Sequence, residues 1–267
     1  MTDLMVLGLM NLGLALTLMT ALWVVSLVKR DASIVDPFWG LGFVAIAWVT
    51  FAWSEDRENR SILLVALTTI WGLRLSVHLL IRNRGEGEDY RYRTMRVKHG
   101  KRFWWVSWLT VFGLQGVIMW FVAWPIQFGG LGERAHGLGW LDACGVSLWM
   151  VGFYFESIGD YQLARFKANP NNLGGVMDRG LWRYTRHPNY FGDFCVWWGM
   201  FLVATAGGAW WTIASPLLMS VLLMKVSGVT LLEKTIAYRR PKYADYCRRT
   251  NAFFPWLPKR VTKSGPG

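Results

Sequence analysis

About seven long apolar stretches constrain the fold of this chain more than any other feature. A run of about 18 or more apolar residues has the length of one α-helix crossing the hydrocarbon core of a bilayer. Charged residues make up only 17% of the 267 residues, which is too few to cover a soluble domain of this length. We therefore expect an all-α, polytopic membrane protein. The predicted spans are 4–28, 34–53, 61–81, 103–127, 138–163, 189–206 and 210–232.

The basic residues lie in alternate loops, and this pattern predicts the orientation of the chain. Of the 29 Lys and Arg residues, 24 fall in segments on one predicted side of the membrane. The positive-inside rule places that side in the cytosol. An odd number of spans then puts the N-terminus outside and the C-terminus in the cytosol. Because topology and contact with anionic lipid explain the net charge of +12, we expect no nucleic-acid partner. No obligate protein partner is indicated.

One membrane domain is the simplest division, since the chain has no internal repeats and no low-complexity linkers. We expect residues 1–102 to form the substrate-side helices, and residues 103–267 to form the cofactor-binding helices and cytosolic loops. The three cysteines, Cys144, Cys195 and Cys247, are widely spaced and form no Cys-x-x-Cys pair. They therefore predict neither a disulfide framework nor a metal site.

Ionisable side chains in or beside membrane spans are costly unless they are paired, so they mark functional candidates. Asp36 precedes Pro37 at the start of the second span. It either caps the free N–H groups of that helix or acts as an acid at the membrane boundary. Arg74 and His78 share one face of the third span, which Trp71 widens. Arg74 needs an anionic partner, either Asp36 or a bound phosphate.

Two further places carry charge near the cytosolic ends of spans. Glu156 and Asp160 lie four residues apart, so two acids share one helical face. They either accept hydrogen bonds from a ligand such as a ribose or form salt bridges with Arg165 or Lys167. Lys225, in the last span, either snorkels to the interface or extends into a cofactor pocket.

The densest polar run of the chain is residues 174–193. Arg179, Arg183 and Arg186 occur there at near-helical spacing, just before His-Pro-Asn-Tyr opens a span. Three cations above a helix N-terminus favour an anion, so a phosphate-bearing ligand fits this chemistry. A basic loop against lipid headgroups would not explain the interleaved Tyr184, His187, Asn189 and Asp193.

At these residues the sequence resembles the steroid 5-alpha-reductase family, which is related to membrane sterol reductases and isoprenylcysteine carboxyl methyltransferase. The Arg-His-Pro-Asn-Tyr-x-Gly run of residues 186–192 is similar to the signature of that whole group. The resemblance covers about residues 71–258. Further elements similar to the reductases are Asn83-Arg84-Gly85, Asp160-Tyr161 with Lys167, Gly180-Leu181-Trp182-x-Tyr184 with Asn189 and Asp193, and Asp245-Tyr246 with Pro255.

The resemblance implies NADPH-dependent reduction of a carbon–carbon double bond conjugated to a ketone, as in a 3-oxo-4-ene steroid or similar apolar enone. In that family, hydride reaches the β-carbon while an acid–tyrosine pair polarises the carbonyl. The early carboxyl group here is Asp36, and the span 61–81 contains no Tyr. We therefore expect His78 to be the catalytic partner of Asp36. Trp39 and Trp71 are expected to bind the substrate.

The resemblance also implies that the later helices and cytosolic loops hold the cofactor. Basic residues are expected to surround its phosphates, and acidic and polar residues its ribose and nicotinamide. Because the 2′-phosphate adds charge, a cationic cluster near the adenosine ribose would select NADPH over NADH. The predicted cofactor residues are Arg74, Asn83, Arg84, Glu156, Asp160, Lys167, Arg179, Arg183, Tyr184, His187, Asn189, Asp193, Lys225 and Glu233.

The alternative is a membrane methyltransferase that uses S-adenosylmethionine on a lipid or prenyl-cysteine substrate. Such enzymes tend to show a Glu-Glu pair near the last span, where this chain has Glu233-Lys234. A channel, transporter or receptor is a third class, but polar side chains gathered at the cytosolic mouth do not suit it. We therefore expect an integral multi-pass membrane enzyme, in the inner (cytoplasmic) membrane if the source is bacterial, with its active site facing the cytosol.

Overall fold

The fold is helical throughout the part of the chain that the structure describes. In this computed structural model those residues contain no β-strand, and one isolated bridge joins Thr185 and Asn251. The all-α class predicted from the apolar runs is confirmed. The described residues are 2–54, 59–131, 137–226 and 243–259.

Two compact units make up the chain. The first comprises Met1–Ala143 and Phe201–Ser215, and the second comprises Cys144–Met200 and Pro216–Gly267. This is a division by packing. The functional division expected after residue 102 stays a prediction.

Three long helices open the first unit. They are α1 (Thr2–Lys29), α2 (Val35–Trp53) and α3 (Asn59–Asn83). Their bounds agree closely with the first three predicted spans, because a continuous apolar run is a local property of the sequence. Four shorter helices and one π-helical turn follow: α4 (Tyr90–His99), α5 (Phe103–Ser107), the turn Trp108–Gly113, α6 (Leu114–Val122) and α7 (Trp124–Phe128).

The fourth helical segment begins earlier than predicted. The pattern of charges predicted a loop over residues 82–102, but helix α4 starts at Tyr90 and the apolar segment runs on to Val122. Asp89 is the reason, because its carboxylate accepts a hydrogen bond from the backbone N–H of Arg91 (2.9 Å). Such an N-cap satisfies one of the free N–H groups at a helix start and stabilises it.

Four helical segments are long and apolar enough to cross a membrane. Large apolar side chains on them are exposed, for example Val28 (81%) and Ile81 (70%), and lipid would cover such surface. The predicted number of seven spans and the orientation of the termini stay predictions. The four segments are Asp3–Lys29, Ala32–Trp53, Asn59–Asn83 and Tyr90–Val122, and a shorter apolar segment is Trp210–Lys225.

Helices α2 and α3 touch at two glycines. A Cβ atom on Gly40 would lie 2.1 Å from the carbonyl oxygen of Gly72, and a Cβ on Gly72 would lie 2.6 Å from that of Gly40. Small residues allow two membrane helices to bring their backbones this close. Beside them, the hydroxyl of Ser76 accepts a hydrogen bond from the backbone N–H of Leu41 (3.1 Å). This contact fixes the start of α2, where Asp36 lies.

We expect the Gly40→Ala variant to unfold at a lower temperature than the wild type. The added methyl group forces the helices apart, and overpacking of this kind costs about 1–3 kcal/mol. Thermal unfolding of the purified protein in detergent measures the effect. Gly13→Ala on α1 is the matched control, because nothing lies within 4 Å of the added atom. Equal unfolding temperatures for the two variants would contradict this helix contact.

The second unit is built mainly from α8 (Trp140–Ala168), α9 (Pro188–Ala206), α10 (Ala214–Val221) and α11 (Tyr243–Arg249). Glycines again set the distance between two helices. A Cβ on Gly152 would lie 2.5 Å from the carbonyl oxygen of Gly192, and one on Gly192 would lie 2.5 Å from the backbone nitrogen of Glu156. This packing places Glu156 directly against α9.

Candidate functional site

Asp36, in the first turn of α2, is held by two donors from α4. The hydroxyl of Tyr92 donates to one carboxylate oxygen (2.7 Å), and the guanidinium of Arg91 donates to the other (2.7 Å). The side chain of Asp36 is only 16% exposed, and Tyr92 is buried. The N-cap position of α2 is Ile34, which makes no side-chain capping hydrogen bond, and Asp31 caps the short turn Ala32–Ile34 before it. Asp36 is therefore not a capping residue.

Tyr92 is the functional candidate that sequence analysis missed. It lies in the segment predicted as a cytosolic loop. The available signal was Asp89, a typical N-cap residue that follows the glycine-rich turn at Gly85 and Gly87 and directly precedes the helix. His78 is half-buried on α3, and its expected pairing with Asp36 stays a prediction.

Trp39 and Gln115 extend the acid–tyrosine pair. The indole N–H of Trp39 donates to the side-chain oxygen of Gln115 (2.5 Å). Because an indole N–H only donates, this bond leaves the amide NH₂ of Gln115 for the other side. Trp39, predicted to bind substrate, is thus half-buried beside the pair.

The carboxylate of Glu88 links α4 to the segment that leads into α2. The carboxylate of Glu88 accepts hydrogen bonds from the backbone N–H of Ala32 (2.9 Å) and from the guanidinium of Arg96 (2.7 and 3.0 Å). Burial opposes the charge of Glu88, but these hydrogen bonds outweigh it and hold its pKa below the ordinary value. The pKa of Asp89 is lowered in the same way, since the bonds from Arg91 outweigh burial. Both groups therefore stay ionised at neutral pH.

The residues predicted on α3 have different surroundings. Arg74 and His78 are half-buried. Trp71 has no exposed surface and packs against Phe43, with 5.7 Å between ring centroids, and Phe43 in turn contacts Trp39 at 5.7 Å. Trp71 is therefore the buried end of a row of three aromatic rings, Trp39, Phe43 and Trp71. Of the two tryptophans predicted to bind substrate, only Trp39 has accessible surface.

Two predicted acids are buried in the second unit. Glu156 and Asp160 lie on α8 and are 4% and 8% exposed. The side-chain amide of Asn189, at the start of α9, donates to the carboxylate of Asp160 (3.2 Å). The structure thus brings together two residues that the sequence placed far apart. Arg165, considered as a salt-bridge partner, contacts the hydroxyl of Tyr161 (3.5 Å).

The three arginines of the polar run divide into two kinds. The guanidinium of Arg186 donates to the backbone carbonyls of Cys247 (3.0 Å) and Thr250 (2.8 Å) at the end of α11. Carbonyl groups at a helix C-terminus lack intrahelical partners, so Arg186 has a structural role. Arg179 and Arg183 are exposed and remain available to a ligand.

Arg179 and Arg183 line a cavity of about 1010 Å³ in the second unit. This volume lies at the upper end of the range of about 300–1,000 Å³ that is typical of small-molecule and cofactor sites. Four cations and one carboxylate among the lining residues give the cavity a net positive charge, which suits an anionic ligand. Sequence analysis missed Arg249 and Lys259, since their proximity depends on how the C-terminal segment folds back. The cavity is lined by Asp178, Arg179, Gly180, Arg183, Tyr246, Arg249, Thr250, Leu257, Pro258 and Lys259.

The other predicted cofactor residues are spread over the chain. Tyr184 is 39% exposed, and its carbonyl accepts a hydrogen bond from the backbone N–H of Trp256 (3.0 Å). His187 is buried and stacks on Tyr190 at 5.5 Å. Glu233 lies outside the described residues. Of the rest, Asn83 and Asp193 are half-buried, and the exposed residues are Arg84, Lys167 and Lys225.

Comparison with known proteins identifies the family to which this chain belongs. A protein described as uncharacterised from Schizosaccharomyces pombe is 26% identical over 278 residues, which cover 92% of this chain and 79% of the yeast protein. No solved structure matches the chain. Residues 22–250 match a family of proteins of unknown function, DUF1295. The match spans most of the sequence, so the chain belongs to the DUF1295 family, a steroid 5-alpha-reductase-like group.

Proposed function

We propose that this protein is a membrane-embedded, NADPH-dependent reductase of a carbon–carbon double bond conjugated to a ketone. Its substrate is a 3-oxo-4-ene steroid or a similar apolar enone. The hydrogen bond from Tyr92 to Asp36, with Arg91 behind the carboxylate, is the observation that carries the proposal. An acid and a tyrosine placed together in a nearly dry setting suit the polarisation of a carbonyl group. Membership of a steroid 5-alpha-reductase-like family supports the reaction class.

The geometry suggests how the pair works. Tyr92 has one hydroxyl proton, and that proton points to Asp36. When it turns to a substrate carbonyl, the Asp36 carboxylate gives up the hydrogen bond from Tyr92 and keeps the one from Arg91. Bound NADPH would supply the hydride for the β-carbon, and water would supply the proton for the α-carbon. The Tyr92 hydroxyl stabilises the negative charge that develops on the carbonyl oxygen.

The cavity of the second unit supports a dinucleotide as the cofactor. Its volume of about 1010 Å³ is sufficient for such a ligand, and Arg179 and Arg183 offer guanidinium groups for phosphate. S-adenosylmethionine carries a sulfonium cation, which a cluster of four cations would repel. The charge of the cavity therefore favours the reductase over the methyltransferase.

We further propose that the protein crosses the membrane seven times, with its N-terminus outside and this cavity on the cytosolic side. Arg179, Arg183, Arg249 and Lys259 all belong to segments that are rich in basic residues. The positive-inside rule places such segments in the cytosol, where NADPH is available.

Ligand binding by the detergent-purified protein tests the proposed function. A ligand that binds the native state raises the apparent unfolding temperature. We expect NADPH to stabilise the protein, S-adenosylmethionine to leave it unchanged, and a 3-oxo-4-ene steroid to be reduced with loss of NADPH. Stabilisation by S-adenosylmethionine without NADPH binding would instead support the methyltransferase.

A further inference from the structure

The anion-binding cavity of the second unit has two walls of different origin. One wall is the turn before α9 and carries Arg179 and Arg183. The other is the C-terminal segment 246–259, which carries Arg249 and Lys259. These last two cations come together because the backbone N–H of Lys259 donates to the carbonyl of Arg249 (2.8 Å). The C-terminal wall is therefore a two-cation site in its own right.

The C-terminal wall is firmly attached to its unit. Besides the bonds from Arg186, the hydroxyl of Thr185 donates to the carbonyl of Phe253 (2.7 Å). The hydroxyl of Tyr246 donates to the carbonyl of Trp182 (2.5 Å). Burial raises the pKa of Tyr246, so this lining residue stays neutral and adds no negative charge to the cavity. Fixed attachment of this kind presents Arg249 and Lys259 in a defined place.

Asp178 is the carboxylate of the cavity, and it faces the C-terminal wall. Its carboxylate lies 3.5 Å from the guanidinium of Arg249, and the two side chains are 40% and 47% exposed. A pair that is so open to water contributes little to stability. It does, however, give Arg249 a counterion that a stronger anion can replace.

The number of cations exceeds what a plain dinucleotide requires. Four cations and one carboxylate leave an excess of positive charge in the cavity. The pyrophosphate of NADH carries two negative charges, which two arginines can neutralise. The 2′-phosphate of NADPH is a monoester that adds a charge of about −1.5 to −2 at neutral pH. The second pair of cations matches this additional group.

We propose that Arg249 and Lys259 bind the 2′-phosphate of NADPH, and that this phosphate displaces Asp178 from Arg249. The inference rests on the proposed function and adds the residues that distinguish NADPH from NADH. The ribose hydroxyl of NADH carries no charge, so it cannot replace the carboxylate of Asp178 as the partner of Arg249. The protein then selects NADPH over NADH because only the phosphate monoester can replace Asp178 as the partner of Arg249.

Ligand affinities of the full-length protein in detergent test this inference. The probes are NADPH, NADH and 2′,5′-ADP, which carries the phosphate monoester without nicotinamide. We expect the Arg249→Gln/Lys259→Gln variant to bind NADPH and 2′,5′-ADP about 10- to 100-fold more weakly, because charge-assisted hydrogen bonds are lost. Its affinity for NADH should stay within about twofold of the wild type. Asp178→Asn should bind 2′,5′-ADP more tightly.

Arg248→Gln is the matched control. Arg248 is the neighbour of Arg249, pairs with Asp245 and does not line the cavity. Its replacement removes one positive charge from the same helix, so a loss as large as that of the double variant would reduce the effect to general electrostatics and contradict the inference. An unchanged unfolding temperature without ligand shows that the variants are folded.

Three further outcomes would count against the assignment in different ways. Phosphatidic acid is an anionic lipid that also carries a phosphate monoester, so vesicles with phosphatidic acid serve as a competing probe. If Arg249 and Lys259 affect only binding to those vesicles, the site recognises lipid and the inference is wrong. If wild-type protein binds neither dinucleotide, the proposed function itself fails. Binding of NADPH that the double variant leaves intact contradicts the inference alone.

Discussion

The Tyr92→Phe variant is expected to lose about 100- to 1,000-fold in kcat for enone reduction while its affinity for NADPH stays unchanged. Loss of one preorganised donor to a developing oxyanion typically has an effect of this size. The substitution removes only the hydroxyl that donates to Asp36 and keeps the buried ring. Asp36→Ala should have a similar effect, since a methyl group cannot accept the hydrogen bond that orients the Tyr92 hydroxyl. Steady-state kinetics with a 3-oxo-4-ene steroid, together with NADPH binding, measure both losses.

Two comparison variants make this prediction specific. Tyr90→Phe removes the same group from the same turn of α4, but Tyr90 is 52% exposed and should tolerate the change. His78→Asn tests the partner that the sequence suggested. If Tyr92→Phe keeps full activity and His78→Asn loses it, the catalytic pair is Asp36 with His78, and the role proposed for Tyr92 is wrong.

The Arg60→Ala variant is expected to be destabilised by about 3–5 kcal/mol, the typical cost of leaving one charge of a buried ion pair without its partner. Arg60, at the start of α3, forms two hydrogen bonds of 2.8 Å with the carboxylate of Asp142. It also donates to the carbonyl of Gly137 (2.9 Å). Both charged side chains are only 3% exposed. Denaturation of the purified protein in detergent measures the loss.

The double variant Arg60→Met/Asp142→Leu provides the control for this prediction. Apolar side chains of similar volume can replace a buried ion pair at little cost, so the double variant should be more stable than either single variant. Arg248→Ala removes an exposed pair with Asp245 and should cost less than about 1 kcal/mol. If Arg60→Ala costs no more than Arg248→Ala, the pair does not hold the loop at residue 137 to α3.

The candidate site was predictable where its residues interact with their chain neighbours. Asp36 attracted notice because a carboxyl group beside an apolar run is costly. Arg179 and Arg183 were found because the cations occur close together before the Pro-Asn that opens α9. The partner of Asp36 was not predictable in this way, because Tyr92 is 56 positions further along the chain.

The prediction of the helices was likewise reliable only where it depended on the local sequence. The first three predicted spans agree with α1, α2 and α3, because the length of an apolar run alone decides whether it spans a bilayer. The prediction of a loop over residues 82–102 was wrong in its second half. The density of charged residues indicated a solvent-exposed loop, but the N-cap at Asp89 starts a helix at Tyr90. A capping hydrogen bond involves two neighbouring residues and outweighs the average composition of its segment.

The sequence by itself determined that this chain folds into apolar helices, that its basic residues cluster, and which polar residues were worth attention. These are properties of short segments, governed by transfer from water to lipid and by local charge. Only the tertiary structure decided which polar groups meet. It joined Tyr92 to Asp36, turned Arg186 towards a helix end, and placed Arg249 and Lys259 opposite Arg179. Such pairings depend on helix packing through glycines and on the return path of the chain, which are long-range properties that no local pattern encodes.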